Sequence, residues 1–253
     1  MTAAPAPNPA LWLAALLGQK KEARQLLFGG ANIEERGGIA PYLSTPLQIA
    51  VHQGWVMVVQ LLLEHGADSS VINVVGEHGG VMRDGGTPLH DARGHEAVAL
   101  RLLQHGADVS ARDNAGISPL DNAARRGQAG RVQDVRPVLA QQHGHPLLSS
   151  KIFLKDDSGM TALHWAALVG NDAVVQLLLE HRASVSAEDI HGRTPQDLAT
   201  SQGRSQVVAM FQAAAVTRAK CVAFAMGHHT RLGEGSLVEG LDPGVLRMVL
   251  EQV

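Results

Sequence analysis

Disulfides are the first thing this sequence excludes: its 253 residues contain one cysteine, Cys221, so no intrachain bridge can form. A reducing, intracellular compartment, cytoplasmic or nuclear, is the expected location. Aromatic residues make up only 3%, which leaves helices packed through Leu, Val and Ala as the means of filling a core. Charge is sparse as well. A formal net charge of -3 with 18% charged residues gives no electrostatic pull toward nucleic acid or an anionic membrane, and neither is expected as a partner. Long apolar runs are missing; the stretch 11–17 is too short to cross a bilayer and has no basic region before it, so it predicts a helix. Lysine is scarce too, accounting for five of the 21 basic residues.

What the chain does have is repetition. Residues 45–67, TPLQIAVHQGWVMVVQLLLEHGA, recur as residues 161–183, TALHWAALVGNDAVVQLLLEHRA. In the second copy Leu163, Ala166 and Ala167 lie three and four apart, on one face of a short helix. After Gly170, Val174, Val175, Leu177, Leu178 and Leu179 form the broad apolar face of a second helix buried from more than one side. Thr161 is placed to cap the first helix, and at Thr45, Thr87 and Thr194 the following proline takes the first helical position, where its missing N–H costs nothing. Gly66 and Gly106 stand just past the second helix, where a left-handed residue ends it. Each copy is a helix-turn-helix unit.

Units begin at Pro9, Thr45, Thr87, Ser118, Thr161 and Thr194, at steps of 36, 42, 31, 43 and 33 residues. Such self-similarity argues for one elongated array rather than two compact domains. The segments TPLH at 87–90, HGADVSARD at 105–113 and DNAGISPL at 113–120 resemble the ankyrin repeat, whose period is about 33. The resemblance implies an all-α solenoid of about six repeats, each a β-turn finger followed by two antiparallel helices. The repeats fall near 9–41, 42–83, 84–114, 115–157, 158–190 and 191–215. It also implies binding to a protein partner, with no catalytic residue, cofactor or metal, by a chain that is monomeric when free. Residues 1–8, rich in Ala and Pro, read as a disordered lead-in, and 216–253 as a helical extension, a Gly-rich linker and a C-terminal amphipathic helix.

Departures from the period locate the irregular parts. The finger at 69–86 is long, Gly-rich and polar, and is expected to project into solvent. In the third unit the stretch from Thr87 to Gly94 is two residues shorter than that from Thr45 to Gly54, so the first helix or the turn after it is expected to be trimmed. In the fourth unit Pro137 falls inside the second helix, where it predicts a break with order restarting near the proline. The following finger holds Lys151-Ile152-Phe153-Leu154-Lys155, which can pair as a short hairpin or lie against a partner. In the first unit Lys20, Lys21, Glu22 and Arg24 replace apolar residues, as on the outward face of an end cap.

Thirteen histidines raise the question of a metal. His90 and His164 hold the TPLH position, where the resemblance implies that imidazole ties neighbouring turns, with Gln48, Asp121 and Gln196 at the matching places. His65, His105 and His181 recur at the C-terminal end of second helices, a place favourable to partial positive charge. The local clusters His143–His145 and His228–His229 lack nearby Cys or carboxylates at tetrahedral spacing. Cys221 with His228 as base is the only nucleophile arrangement on offer, and the thiol lies on an apolar helical face. Gly233-Glu234-Gly235 has no preceding strand and no GK[ST] after it, so it reads as linker rather than phosphate loop. Ser70, Ser110 and Ser186 stand where ankyrin repeats frequently carry an asparagine, which is hydroxylated in some of them, so that modification is not expected.

The resemblance implies a binding surface made of finger tips and of the residues before the glycine that joins the helices. Mapped onto this chain it comprises the helical pairs His52-Gln53, Arg125-Arg126, Leu168-Val169 and Ser201-Gln202, with Trp165. Finger positions add Asn114, Ala115, Ile117, Asp157, Ser158, Met160, Ile190, His191 and Arg193. Arginine among apolar and aromatic neighbours has the composition of a binding hot spot. Trp55 either joins this surface or packs between repeats. In the tail, Val245, Leu246, Val249, Leu250 and Val253 form one apolar stripe, which either folds back on the array or docks on another protein. The 13 residues LDPGVLRMVLEQV resemble the opening of an F-box or SOCS-box, which with the shortage of lysine implies a ubiquitin-ligase adaptor as the second reading. An enzyme using Cys221 or the histidine clusters is the third.

Overall fold

The computed structural model describes residues 9–39, 42–72, 85–92, 94–126, 132–140 and 152–216. The lead-in, most of the long finger at 69–86, the histidine clusters, Cys221 and the tail with its stripe from Val245 to Val253 lie outside them. The elements alternate in pairs: α1 Ala10–Leu16 and α2 Lys20–Phe28; α3 Pro46–Gln53 and α4 Val56–Glu64; α5 Pro88–Asp91 and α6 Glu96–Gln104; α7 Pro119–Arg125 and α8 Val132–Ala140; α9 Ala162–Val169 and α10 Asp172–Glu180. Last come α11 Pro195–Ser201 and a helix over 205–216, α12.

First helices pack on first helices in chain order, α1 on α3, α3 on α5, α5 on α7, α7 on α9 and α9 on α11. Second helices do the same from α2 to α10, so the chain is two layers of helices with a core continuous between neighbouring pairs. Val59, Leu62, Leu102, Val174, Val175 and Leu178 are buried there, as their spacing predicts. On α2 only Ala23 is buried, and Lys21, Glu22 and Arg24 face water. Thr45, Thr87, Ser118, Thr161 and Thr194 all close capping boxes. The partner three residues on is Gln48, His90, Asp121, His164 and, in the last unit, Asp197 rather than the expected Gln196.

Two other expectations are corrected. Pro137 does not break its helix: α8 runs through it and has nine residues, as α2, α4, α6 and α10 do. It takes the sixth place, which Leu61 holds in α4 and Leu177 in α10, and there a proline removes a single bond, to the Gln133 carbonyl. Burial of Val135, Val138 and Leu139 against α6 and α10 outweighs that loss. The segment Lys151–Lys155 forms no hairpin in its described part; Ile152 and Phe153 make one tight helical turn and Ile152 is buried in the core. A hairpin occurs instead in the finger between the first two pairs, where β1 Gly37–Ile39 pairs antiparallel with β2 Tyr42–Ser44. The chain is therefore helical apart from these two three-residue strands, among the described residues.

The turns joining each pair interlock with the next pair. Gly18 and Gly170 adopt φ of 72° and 81°, and a Cβ on either would stand 2.7 Å from the Trp55 ring or from Arg204 respectively. The same two side chains donate to the carbonyls two residues earlier, Trp55 Nε1 to Leu16 O at 3.0 Å and Arg204 Nε to Leu168 O at 3.4 Å. Trp55 thus packs between repeats.

Candidate functional site

Opposite the helix-joining turns lie the fingers, and three of them repeat one construction. Each starts with a buried aspartate, Asp113, Asp156 or Asp189. In each, one carboxylate oxygen accepts the N–H groups two and four residues on: Ala115 and Ile117, Ser158 and Met160, His191 and Arg193, all at 2.8–3.0 Å. The aspartate N–H then donates to the carbonyl of the same fourth residue, closing the turn from the backbone side. Burial pushes the Asp189 carboxyl up, but the N–H groups of Arg193 and His191 and the Arg193 guanidinium outweigh it and bring its pKa to about 2.

Neighbouring fingers are then tied to each other. Asp157 N–H donates to Ala115 O, and Ile190 N–H to Ser158 O. The residues before Asp113 and Asp156 add side-chain rungs: Arg112 to Lys155 O and Lys155 Nζ to Glu188 O, as Arg36 in the first finger reaches Ile72 O. These pairs are separated by 43, 33 and 36 residues, the repeat steps themselves. Sequence reasoning missed the rungs, although the signal was present as a charged residue before Asp-x-x-Gly in RDNAG, KDDSG and EDIHG.

Beneath the fingers, the histidines of the first helices hold one finger to the next. The Thr161 N–H can only donate, so His164 Nδ1 accepts it at 3.1 Å and Nε2 carries the proton that goes to Arg193 O at 3.1 Å. His90 repeats this between Thr87 N–H and Ile117 O. Burial lowers the His164 pKa against the Arg193 carbonyl and the Asp189 charge, keeping the neutral ring that this pattern requires.

The predicted surface residues divide into three groups. Ala115, Ser158, Ile190 and His191 are exposed at the tips, Ile190 at 66%. Asn114 and Asp157 are exposed too, but their side chains lean over Gly85 and Gly116 of the preceding fingers. Arg193 is exposed and pairs with Asp189 at 2.7 Å. On the helices, Arg125, Arg126, Trp165, Leu168, Val169 and His52 are half-buried, and Gln53 is exposed. The structure joins several of them: the Arg125 guanidinium lies 5.5 Å from the Trp165 ring centroid, while Trp165 Nε1 donates to Asp156 Oδ2 at 3.0 Å. Ile117 and Met160 do not belong to the surface. They are the closing residues of their turns, and their side chains are 4% and 6% exposed inside the stack.

Among the described residues no group of three His, Cys, Asp or Glu side chains is arranged to hold a metal ion, and no helix is long and apolar enough to cross a membrane. His65 and His181 spend Nδ1 on the carbonyls of Leu61 and Leu177, ending their own helices.

Stacked helix pairs with fingers tied edge to edge define a tandem-repeat solenoid. The chain belongs to the ankyrin repeat family: a family model for ankyrin repeats (3 copies) matches residues 11–113 and 120–218. The chain is 26% identical over 195 residues to a transient receptor potential cation channel subfamily A member 1 homolog of Caenorhabditis elegans, covering 66% of this chain and 15% of that protein. It is 35% identical over 176 residues to the E3 ubiquitin-protein ligase XBAT33 of Arabidopsis thaliana, covering 62% of this chain and 33% of that one. The crystal structure of EF0377, an ankyrin repeat protein, superposes with a TM-score of 0.65 at 25% identity over 80% of this chain and 96% of that chain. This chain thus spans a third or less of either curated relative.

Proposed function

We propose that this chain is a non-catalytic binding module that captures a protein partner on the exposed finger tips 114–115, 157–158 and 190–193 and on the adjoining faces of α7 and α9. The observation that carries the reading is the tie between fingers and helices at Arg125, Trp165 and Asp156. A cation held over an indole, itself anchored to a finger, is a fixed surface that loses little conformational entropy on docking. The lone cysteine supports an intracellular setting, and the weak net charge argues against nucleic acid or membrane as the ligand.

The test is affinity capture with Arg125→Glu and Arg126→Glu combined. Partner recovery should fall at least tenfold while the melting temperature moves by only a few degrees, since a half-buried cation–π contact contributes roughly 0.5–2 kcal/mol. Undiminished recovery would remove this face from consideration.

A second reading is that the module serves as a ubiquitin-ligase adaptor, favoured by the similarity to the Arabidopsis ligase and by the tail segment 241–253. Repeating the capture without residues 227–253 separates the two: ligase subunits lost on truncation while the partner is retained would establish the adaptor.

A further inference from the structure

The row of side chains that ties each first helix to the next finger is interrupted once. Gln48 donates Nε2–H to Val71 O, His90 to Ile117 O and His164 to Arg193 O. In the fourth unit the place belongs to Asp121, whose Oδ2 accepts Ser118 N–H at 2.9 Å and Ser118 Oγ–H at 2.6 Å as the histidine Nδ1 accepts from its threonine. The matching acceptor in the next finger is Met160 O. It already accepts Asp156 N–H at 2.9 Å, just as Ile117 O and Arg193 O accept one finger N–H each beside the imidazole. An ionised carboxylate has no hydrogen to offer it. Asp197, the other carboxylate in the row, belongs to the last unit of the row, where the described chain places no further finger.

We propose that the joint between the fourth and fifth repeats is a pH-sensitive contact, in which a proton on Asp121 supplies the donor that His90 and His164 supply at their own joints. A carboxyl ends about one bond length short of imidazole Nε2, so the bond to Met160 O forms by closer approach or through one bridging water. In either geometry the ionised form sets acceptor against acceptor in a site where Asp121 is 2% exposed.

The surroundings agree. Among the described side chains, the charged and titratable ones on the packed elements are His90 and Asp91 on α5, Arg136 on α8 and His164 on α9, with Arg112, Asp113, Lys155, Asp156 and Asp157 on the two fingers and Arg125 and Arg126 on α7 itself. Burial is the main cause raising the Asp121 pKa, to about 6; the Ser118 bonds and Arg112 lower it and the Asp156 charge raises it. A folded-state value raised above the unfolded value of about 3.9 contributes stability that is complete below pH 4 and is lost as pH rises through 6. His164 runs the other way, so the comparison must be made against a variant at position 121.

Asp121→Asn keeps an oxygen for Ser118 and adds a permanent N–H donor, and Asp121→His installs the imidazole used at the neighbouring joints. The experiment is native-state hydrogen exchange on the whole chain at pH 7 and pH 5, corrected for intrinsic rates, at the amides of Ser158 and Met160. The wild-type opening constant divided by that of Asp121→Asn should fall about tenfold between pH 7 and pH 5, the factor that a shift from about 3.9 to about 6 entails. A ratio independent of pH overturns the proposal, as does an equal change at the amides of α3 and α4. If Asp121→Asn does not fold, Asp121→His is the reference and the same two outcomes decide.

Discussion

At the scale of single residues, the finger aspartates have the narrowest tolerance. One oxygen of Asp189 takes two backbone N–H groups while the other takes the Arg193 guanidinium at 2.7–2.8 Å. Its folded-state pKa of about 2 lies below the unfolded value, so its contribution is present above about pH 4 and lost as pH falls toward 2. Asp189→Asn should therefore lower stability at pH 7 and flatten the acid side of the stability curve below pH 4, measured by denaturant unfolding at fixed pH steps. An acid limb as steep as wild type would show that Asp189 is not the group responsible. The capping residues were legible in the sequence because Thr-Pro and Ser-Pro have one local meaning. Burial of Ile117 and Met160 was not: exposure at the fourth position of a finger depends on the neighbouring repeat, and Arg193, with no further finger beside it among the described residues, stays exposed.

At the scale of elements, α8 departs most from its equivalents. Its proline stands where α4 and α10 carry Leu61 and Leu177, and beside it an open groove of about 300 Å³ is lined by Leu100, Pro137, Leu139 and Leu177. Pro137→Leu should restore the N–H bond to Gln133 O and extend an apolar side chain toward the groove, raising stability by about 1–3 kcal/mol. The change in urea midpoint at constant slope checks this, and a lower midpoint would mean that the packing of Pro137 itself is needed. Sequence reasoning placed the proline inside a helix and predicted a break because it weighed intrinsic propensity alone. Tertiary burial on both sides decided otherwise. The hairpin at 37–44 was hidden for a related reason, since GGI and YLS are too short to show a strand period.

At the scale of the whole molecule, stability is a sum over repeats and the joints between them, so weak joints set where the array opens. The third unit has a first helix of four residues against eight in α3 and α9, and the fourth has both Pro137 and Asp121. Hydrogen exchange should find the lowest opening free energies in α5 to α8, with α3, α4, α9 and α10 protected longer. The reverse order would contradict the nearest-neighbour account of this chain. Helix pairing and chain-order stacking were legible because the distance from unit start to hinge glycine is nearly the same in most units, although the units themselves stand 31 to 43 residues apart. The rungs between fingers were not, because they join residues 33 to 43 apart through side chains that look like ordinary surface charge.

The bonds that close the three fingers run through main-chain atoms and the leading aspartate, and the bonds between fingers through main-chain carbonyls. Side chains at Ala115, Ser158 and His191 take no part in either. A combinatorial library at these three positions would therefore explore new ligand preferences without jeopardising the scaffold.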